Sequence, residues 1–185
     1  NKMYNVLVTG VGAIIGYGII KSLKKIPHLI KNTYGIDIYP HAVGQKWCDD
    51  FLSFFWTDNP DYPHQLKNII QKWNIDLIIP GIEQDAQFFA ENSQLFDQMS
   101  VKVALNDKNL IELSKDKWDL AEFLKKNKLL CIESSLSSNY QEIVQQLGVP
   151  FLVKLRRSYA SKGLKIIDSE KQFVPISSQM GEAYM

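Results

Sequence analysis

The chain has 185 residues, 45% apolar and 22% charged, which is enough to bury a core and too apolar for a disordered segment. Twenty-one Lys and Arg against 20 Asp and Glu leave a net charge of +1, which excludes a whole-protein basic footprint for nucleic acid. Two cysteines (Cys48, Cys131), three histidines without H-x-x-x-H spacing (His28, His41, His64), no apolar run long enough to span a bilayer and no apolar leader imply a reduced, soluble, cytoplasmic protein without a zinc site.

Residues 4–9 (Tyr-Asn-Val-Leu-Val-Thr) predict a strand. Glycines follow at once, then an amphipathic stretch with Ile15, Ile19, Leu23 and Ile26 on one helical face, ended by Pro27. Residues 33–38 predict a second strand, closed by Tyr39-Pro40, and Phe51 to Phe55 a short third. Leu66, Ile69, Ile70 and Trp73 give a helix with one buried face. Asp76 to Ile79 is a strand stopped by Pro80-Gly81; a helical stretch through Phe88, Phe89 and Phe96 and a strand at Val101 to Leu105 follow. This order predicts an α/β fold, a Rossmann-like parallel sheet covered on both faces and complete within residues 1–106. Trp47, Trp56, Trp73 and Trp118 are expected in the core.

A second unit is expected over 107–185. Residues 107–127 are helical and charged, Ser138-x-x-Gln141 is a capping box for a helix through Leu147, and Gly148 ends that helix. Phe151 to Lys154 and Leu164 to Ile167 form a hairpin around a polar loop.

Two segments carry candidate chemistry. Thr9 to Gly18 is a glycine turn between strand and helix, a setting that suits a phosphate, and Asp37 ends the second strand where a ribose-binding acid would stand. The glycines Gly10, Gly12 and Gly16 nevertheless give G-x-G-x-x-x-G, one residue too long for the dinucleotide fingerprint. Tyr159 and Lys162 are likewise three apart in a loop, not four apart on a helix as a dehydrogenase dyad requires. The second segment is the hairpin loop. Lys154, Arg156, Arg157, Lys162 and Lys165 fall within twelve residues that hold no acid, interleaved with Ser158, Ala160, Ser161 and Gly163, whose small size lets backbone N–H groups face an oxyanion.

A strand lysine, a small-residue loop with Ser-Lys-Gly and a returning strand resemble the nucleotide-binding hairpin of ATP-grasp enzymes, carbamoyl-phosphate synthase large-subunit-like members in particular. Asn5 to Gly12 resembles the Rossmann-like domain that precedes ATP-grasp in that family. Leu77 to Asp85 resembles its later strand with trailing acids, and Ser114-Lys115-Asp116-Lys117 the start of the helix that opens the ATP-grasp region. The resemblance implies that 107–185 is the first, incomplete part of an ATP-grasp domain. It implies a ligase that uses ATP and magnesium to join a small carboxylate to an amine or ammonia through an acyl-phosphate. Lys117 and Lys154 match its phosphate-binding cations, and residues 158–163 its phosphate loop, with Ser158, Ser161, Lys162, Gly163 and Arg156 as further nucleotide candidates. Ser158 and Ala160 stand where that loop usually has glycine. Gly10, Gly12, Asp37, Glu83 and Asp85 become substrate-side candidates. The metal ligands are expected beyond Met185 and the chain alone is expected to be inactive. The alternatives are an NAD(P)-binding oxidoreductase or nucleotide-sugar enzyme built on Gly10–Gly18 and Asp37, and a non-catalytic nucleotide-binding module. Neither nucleic acid nor membrane is an expected partner.

Overall fold

A computed structural model describes residues 2–185, which divide into one unit through Lys108 and another from Asn109 to Met185. In the first unit β1 (Tyr4–Thr9), β2 (Ile30–Asp37), β3 (Asp50–Ser53), β4 (Leu77–Ile79) and β5 (Lys102–Val103) form one parallel sheet in the order β3-β2-β1-β4-β5. Side chains alternate along β1, so Leu7 faces one side with its cross-strand partner Ile78, and Val6 and Val8 face the other. Helices α2 (Tyr62–Trp73) and α3 (Glu83–Glu91) pack Leu66, Ile70 and Phe89 on the Leu7 side. Helix α1 (Ile14–Leu23) packs Ile20 and Leu23 on the Val6 side. Burial on both faces explains why these strands are apolar throughout, and the expected Rossmann-like parallel sheet is present.

Several details depart from the sequence reading, each for a local reason. β2 starts at Ile30 rather than Thr33, because Tyr4 pairs with Ile30 and the Asn32 amide donates to Asn5 Oδ1 at 3.0 Å, extending the ladder through residues polar enough to read as a loop. The inward stripe of α1 is Gly16, Ile20 and Leu23, while Ile15 is 63% exposed. A Cβ on Gly16 would collide with the Gly10 carbonyl, so the glycine must face the turn, and this rotates Ile15 outward. The stretch predicted as one helix through Phe96 is two, α3 and α4 (Ser93–Asp97), because Asn92 Nδ2 bonds the Phe88 carbonyl at 2.8 Å and ends α3. Trp73 is buried as expected, but Trp47 and Trp56 are exposed and Trp118 is half-buried. Trp47 meets Tyr17 edge-on and carries the Lys21 ammonium 5.3 Å from its ring centre, a surface arrangement.

Helix α5 (Lys108–Ser114) leads into the second unit, which holds α6 (Lys117–Lys126), α7 (Tyr140–Leu147), β6 (Phe151–Val153), β7 (Lys165–Ile167) and α8 (Glu170–Ser177). β6 and β7 pair antiparallel, Phe151 opposite Ile167 and Val153 opposite Lys165. Phe151, Val153 and Ile167 turn inward onto Ile143 of α7 and onto Phe173 and Ile176 of α8, a helix the sequence reading did not anticipate. The Met185 and Lys154 backbones exchange hydrogen bonds of 3.0 and 3.1 Å, so the last residues run antiparallel beside the end of β6.

The helix start near residue 139 is also corrected. Asn139, not Ser138, is the N-cap: its Oδ1 accepts from the amides of Gln141 (2.9 Å) and Glu142 (3.4 Å). The outer bracket is Ser137, whose Oγ donates to Glu142 Oε2 at 2.6 Å and accepts the Asn139 amide at 3.0 Å. Asn139→Ala is therefore expected to lower stability by about 1 kcal/mol, with Ser138→Ala nearly silent; thermal unfolding of the two variants side by side checks this. Among the described residues no helix is long and apolar enough to cross a membrane.

Candidate functional site

The loop between β6 and β7 closes on itself tightly. Ala160, Ser161 and Gly163 all take left-handed backbone angles (φ 51, 56 and 74°). The loop thus adopts at Ala160 a conformation that glycine would hold without strain. At Gly163 any side chain would also strike Leu155, its Cβ lying 2.6 Å from Leu155 Cδ1. The Lys162 ammonium turns back to Tyr159, 3.0 Å from its hydroxyl and 4.2 Å from the ring centre. Ser161 is exposed.

The start of α6 organises the other cations. Asp116 is buried and N-caps the helix, accepting from the Trp118 amide at 2.9 Å and the Asp119 amide at 3.4 Å. The same carboxylate takes Arg156 Nε at 3.1 Å, an Arg156 terminal nitrogen at 2.9 Å and Arg157 Nε at 3.2 Å. Burial works against its charge, yet Arg156 and the two amides together hold the carboxyl below the usual range. Arg156 is further tied to the Gly181 carbonyl, whereas Arg157 is largely exposed. One residue along, Lys117 Nζ donates to the carbonyls of Ser158 (2.7 Å) and Arg156 (3.3 Å) and meets Ser158 Oγ at 3.2 Å. The loop and the first turn of α6 are thus one hydrogen-bonded assembly. Lys117 and Arg156 stand out in the sequence as cations, whereas Asp116 reads there only as a helix start. The Asp-Lys pair was visible there; its partners forty residues on were not.

Lys154 differs from its neighbours. Its half-buried ammonium has no hydrogen bond or ion pair among the described residues. It borders two adjoining, mainly apolar cavities. One, of about 470 Å³, is also lined by Lys117, Leu120, Leu124 and Cys131; the other, of about 390 Å³, by Ile143 and Phe151. Ile132, Ser134 and Met185 line both. A cation at the rim of an apolar cavity suits a ligand with a flat apolar part and an anionic tail.

In the first unit the strand order reverses between β1 and β4, where open α/β sheets bind ligands. Here the chain fills that crevice itself: Gly10 turns at φ 62°, the backbones of Gly16 and Gly81 lie in contact, and the Gly81 amide donates to Thr9 Oγ1 at 3.3 Å. Asp37 is buried and spends both oxygens on the chain, Oδ2 on the Gly12 amide at 2.8 Å and Oδ1 on the Tyr39 amide at 2.9 Å. Its burial, with both oxygens turned to backbone amides, leaves little of this carboxylate open to a ribose. Asp85 is also buried. Burial pushes its carboxyl up to about 6; hydrogen bonding with Thr9 opposes this and the Asp37 charge adds to it. Glu83, in the first turn of α3, is exposed and accepts only from Gln87, at 3.3 Å. It is the one of these three candidate carboxylates turned to solvent. Among the described residues no three metal-ligating side chains cluster.

Solved structures similar to this chain include synthetases and carboxylases, some of them determined with ADP. An N5-carboxyaminoimidazole synthetase from Staphylococcus aureus, complexed with ADP, superposes with a TM-score of 0.72 at 20% identity, over 100% of this chain and 47% of that one. The N5-carboxyaminoimidazole ribonucleotide synthetase of Thermotoga maritima gives 0.64 at 21% identity, over 92% and 42%. The biotin carboxylase domain of Hydrogenobacter thermophilus 2-oxoglutarate carboxylase, with MgADP, ADP and bicarbonate, gives 0.62 at 20% identity, over 95% and 40%. At these identities the likeness is one of fold, and the chain spans less than half the length of each. No curated protein matches it. The PylC-like N-terminal domain family matches residues 6–104, more than half of the sequence and nearly all of the parallel-sheet unit, and the chain belongs to that family.

Proposed function

We propose that the chain carries part of the nucleotide site of an ATP-dependent ligase, one that joins a small carboxylate to an amine or ammonia through an acyl-phosphate. The observation that carries this reading is Lys154, an ammonium without a partner among the described residues that lines two mainly apolar cavities, beside a loop of small residues and cations. Two of the three enzymes compared above were solved with ADP, and the hairpin, with Ser158 and Ala160 where glycine is usual, resembles the nucleotide-binding hairpin of ATP-grasp proteins. In this reading residues 1–106 support the site and 107–185 open an ATP-grasp domain. The cavity lining takes the base, Lys154 faces the phosphates, Lys117 reaches them by exchanging one of its loop bonds for a phosphate oxygen, and Ser158, Ser161, Lys162 and Gly163 close over them with backbone amides. Magnesium, bound with the nucleotide, would neutralise phosphate charge. On the substrate side Glu83 is the carboxylate best placed to meet a ligand, with Gly10 and Gly12 as turn and Asp37 and Asp85 as its support.

Titration of ATP and, separately, of NADH into the 185-residue chain, followed by tryptophan fluorescence, tests this. Saturable binding of ATP and none of NADH is expected. Micromolar NADH binding that Asp37→Ala abolishes would replace the ligase reading with the oxidoreductase one.

A further inference from the structure

The five interactions converging on Asp116 exceed what a helix cap needs. Two are the capping bonds to Trp118 and Asp119. The other three come from Arg156 and Arg157, in the loop that follows β6, and reach a carboxylate that is almost wholly buried. The Lys117 backbone amide, which a free helix start would leave without an acceptor, donates instead to the Arg156 carbonyl at 3.0 Å. The Lys117 side chain adds its bonds to the carbonyls of Arg156 and Ser158. The loop is therefore docked on α6 through bonds between the chain's own groups.

We propose that Asp116 is a positioning residue: it latches the cationic loop 155–163 onto the first turn of α6 and so fixes where Lys117 and the loop amides stand before a nucleotide arrives. The two arginines divide the work. Arg156 is pinned at both ends of its guanidinium, to Asp116 and to Gly181, and serves as the strut. Arg157 bonds Asp116 only through Nε and is 76% exposed, so its terminal nitrogens stay available to an oxyanion while the latch holds. The proposal rests on the nucleotide reading for its purpose, but the latch itself can be tested without any nucleotide.

Asp116→Asn is the sharpest variant, because asparagine caps helices as well as aspartate does, while it removes the charge and one of the two oxygens that accept from the arginines. Amide hydrogen exchange on the ligand-free chain should show Lys117 and Arg156 exchanging at least about tenfold faster, with α7 unchanged, as expected when a buried ion pair loses one partner. Arg156→Gln should do the same. Unchanged exchange at Lys117 and Arg156 in both variants would overturn the latch. Should the second unit fail to fold in either variant, the wild-type chain decides: the Arg156 Nε–H should give a resolved, slowly exchanging NMR signal, and exchange as fast as free arginine would overturn the proposal.

Inorganic tripolyphosphate then separates positioning from charge. Removing a negative charge next to a cationic loop tightens anion binding if Asp116 acts by its field alone. If Asp116 positions the loop, Asp116→Asn should bind tripolyphosphate at least about fivefold more weakly, a loss that geometry must cause because the field favours the opposite. Tighter binding would sink the positioning role. No binding by the wild-type chain would remove the nucleotide reading itself, and the exchange data would then decide the latch alone.

Discussion

Lys154→Met is expected to weaken ATP binding by about 30-fold, corresponding to the loss of one charged hydrogen bond of about 2 kcal/mol. The same change should leave the unfolding midpoint nearly unmoved. Both halves follow from one fact: among the described residues the Lys154 ammonium bonds nothing, while its backbone pairs with Met185 through groups that methionine keeps. The methionine retains most of the aliphatic stem that lines the two cavities, so packing is preserved and charge alone is removed. Lys162→Met is the built-in control. That ammonium is already engaged by Tyr159, so its loss should change affinity by no more than about threefold, within what an exposed pair contributes. Calorimetric titration of ATP into the three proteins reads the difference. Equal losses from both variants would mean that general loop charge, rather than the cavity-rim lysine, holds the phosphates.

What the sequence revealed and what it hid follow a physical division. Strands buried on both faces announce themselves, and Leu77-Ile78-Ile79 or Val6-Leu7-Val8 could hardly be anything else. The amphipathic α2 was equally legible, because Leu66, Ile69, Ile70 and Trp73 all meet one core. The rotation of α1 was not, since it depends on Gly16 touching the Gly10 carbonyl, a contact set by the turn rather than by hydropathy. The same holds at the site. Five cations without an acid could be counted along the chain, and Lys154 could be singled out as a lysine ending an apolar strand. That Asp116 would engage two of the five could not be read, because an ion pair spanning forty residues leaves no local pattern. Asp37 shows the converse. Its position suggests a ribose, and only the structure reveals that it is buried with both oxygens turned to the Gly12 and Tyr39 amides.

Asp85→Asn should stabilise the first unit at neutral pH and do little in acid. The carboxyl is buried and pushed up to about 6, against 3.8 for a free aspartate, chiefly by burial, with the Asp37 charge adding to it. Between those two values the unfolded chain has already released a proton that the folded chain still holds. Stability therefore falls as pH rises through this window and levels off above about 6, with a total of about 3 kcal/mol from this one group. The Tyr62 hydroxyl lies buried nearby without a hydrogen-bond partner among the described residues, so it offers the ionised carboxylate no relief; burial and the Asp85 charge push its own ionisation up. Asparagine keeps the size of the side chain and cannot ionise, so it escapes that loss. Urea unfolding at pH 4 and at pH 7.5 should show Asp85→Asn gaining on the parent by about 2–3 kcal/mol at the higher pH and by little at the lower. A stabilisation independent of pH would mean that Asp85 is not being held protonated. A destabilisation at pH 7.5 would show that the ionised carboxylate anchors α3 to Thr9, which would make the charge a structural asset in this family's sheet unit rather than a cost carried beside the exposed Glu83.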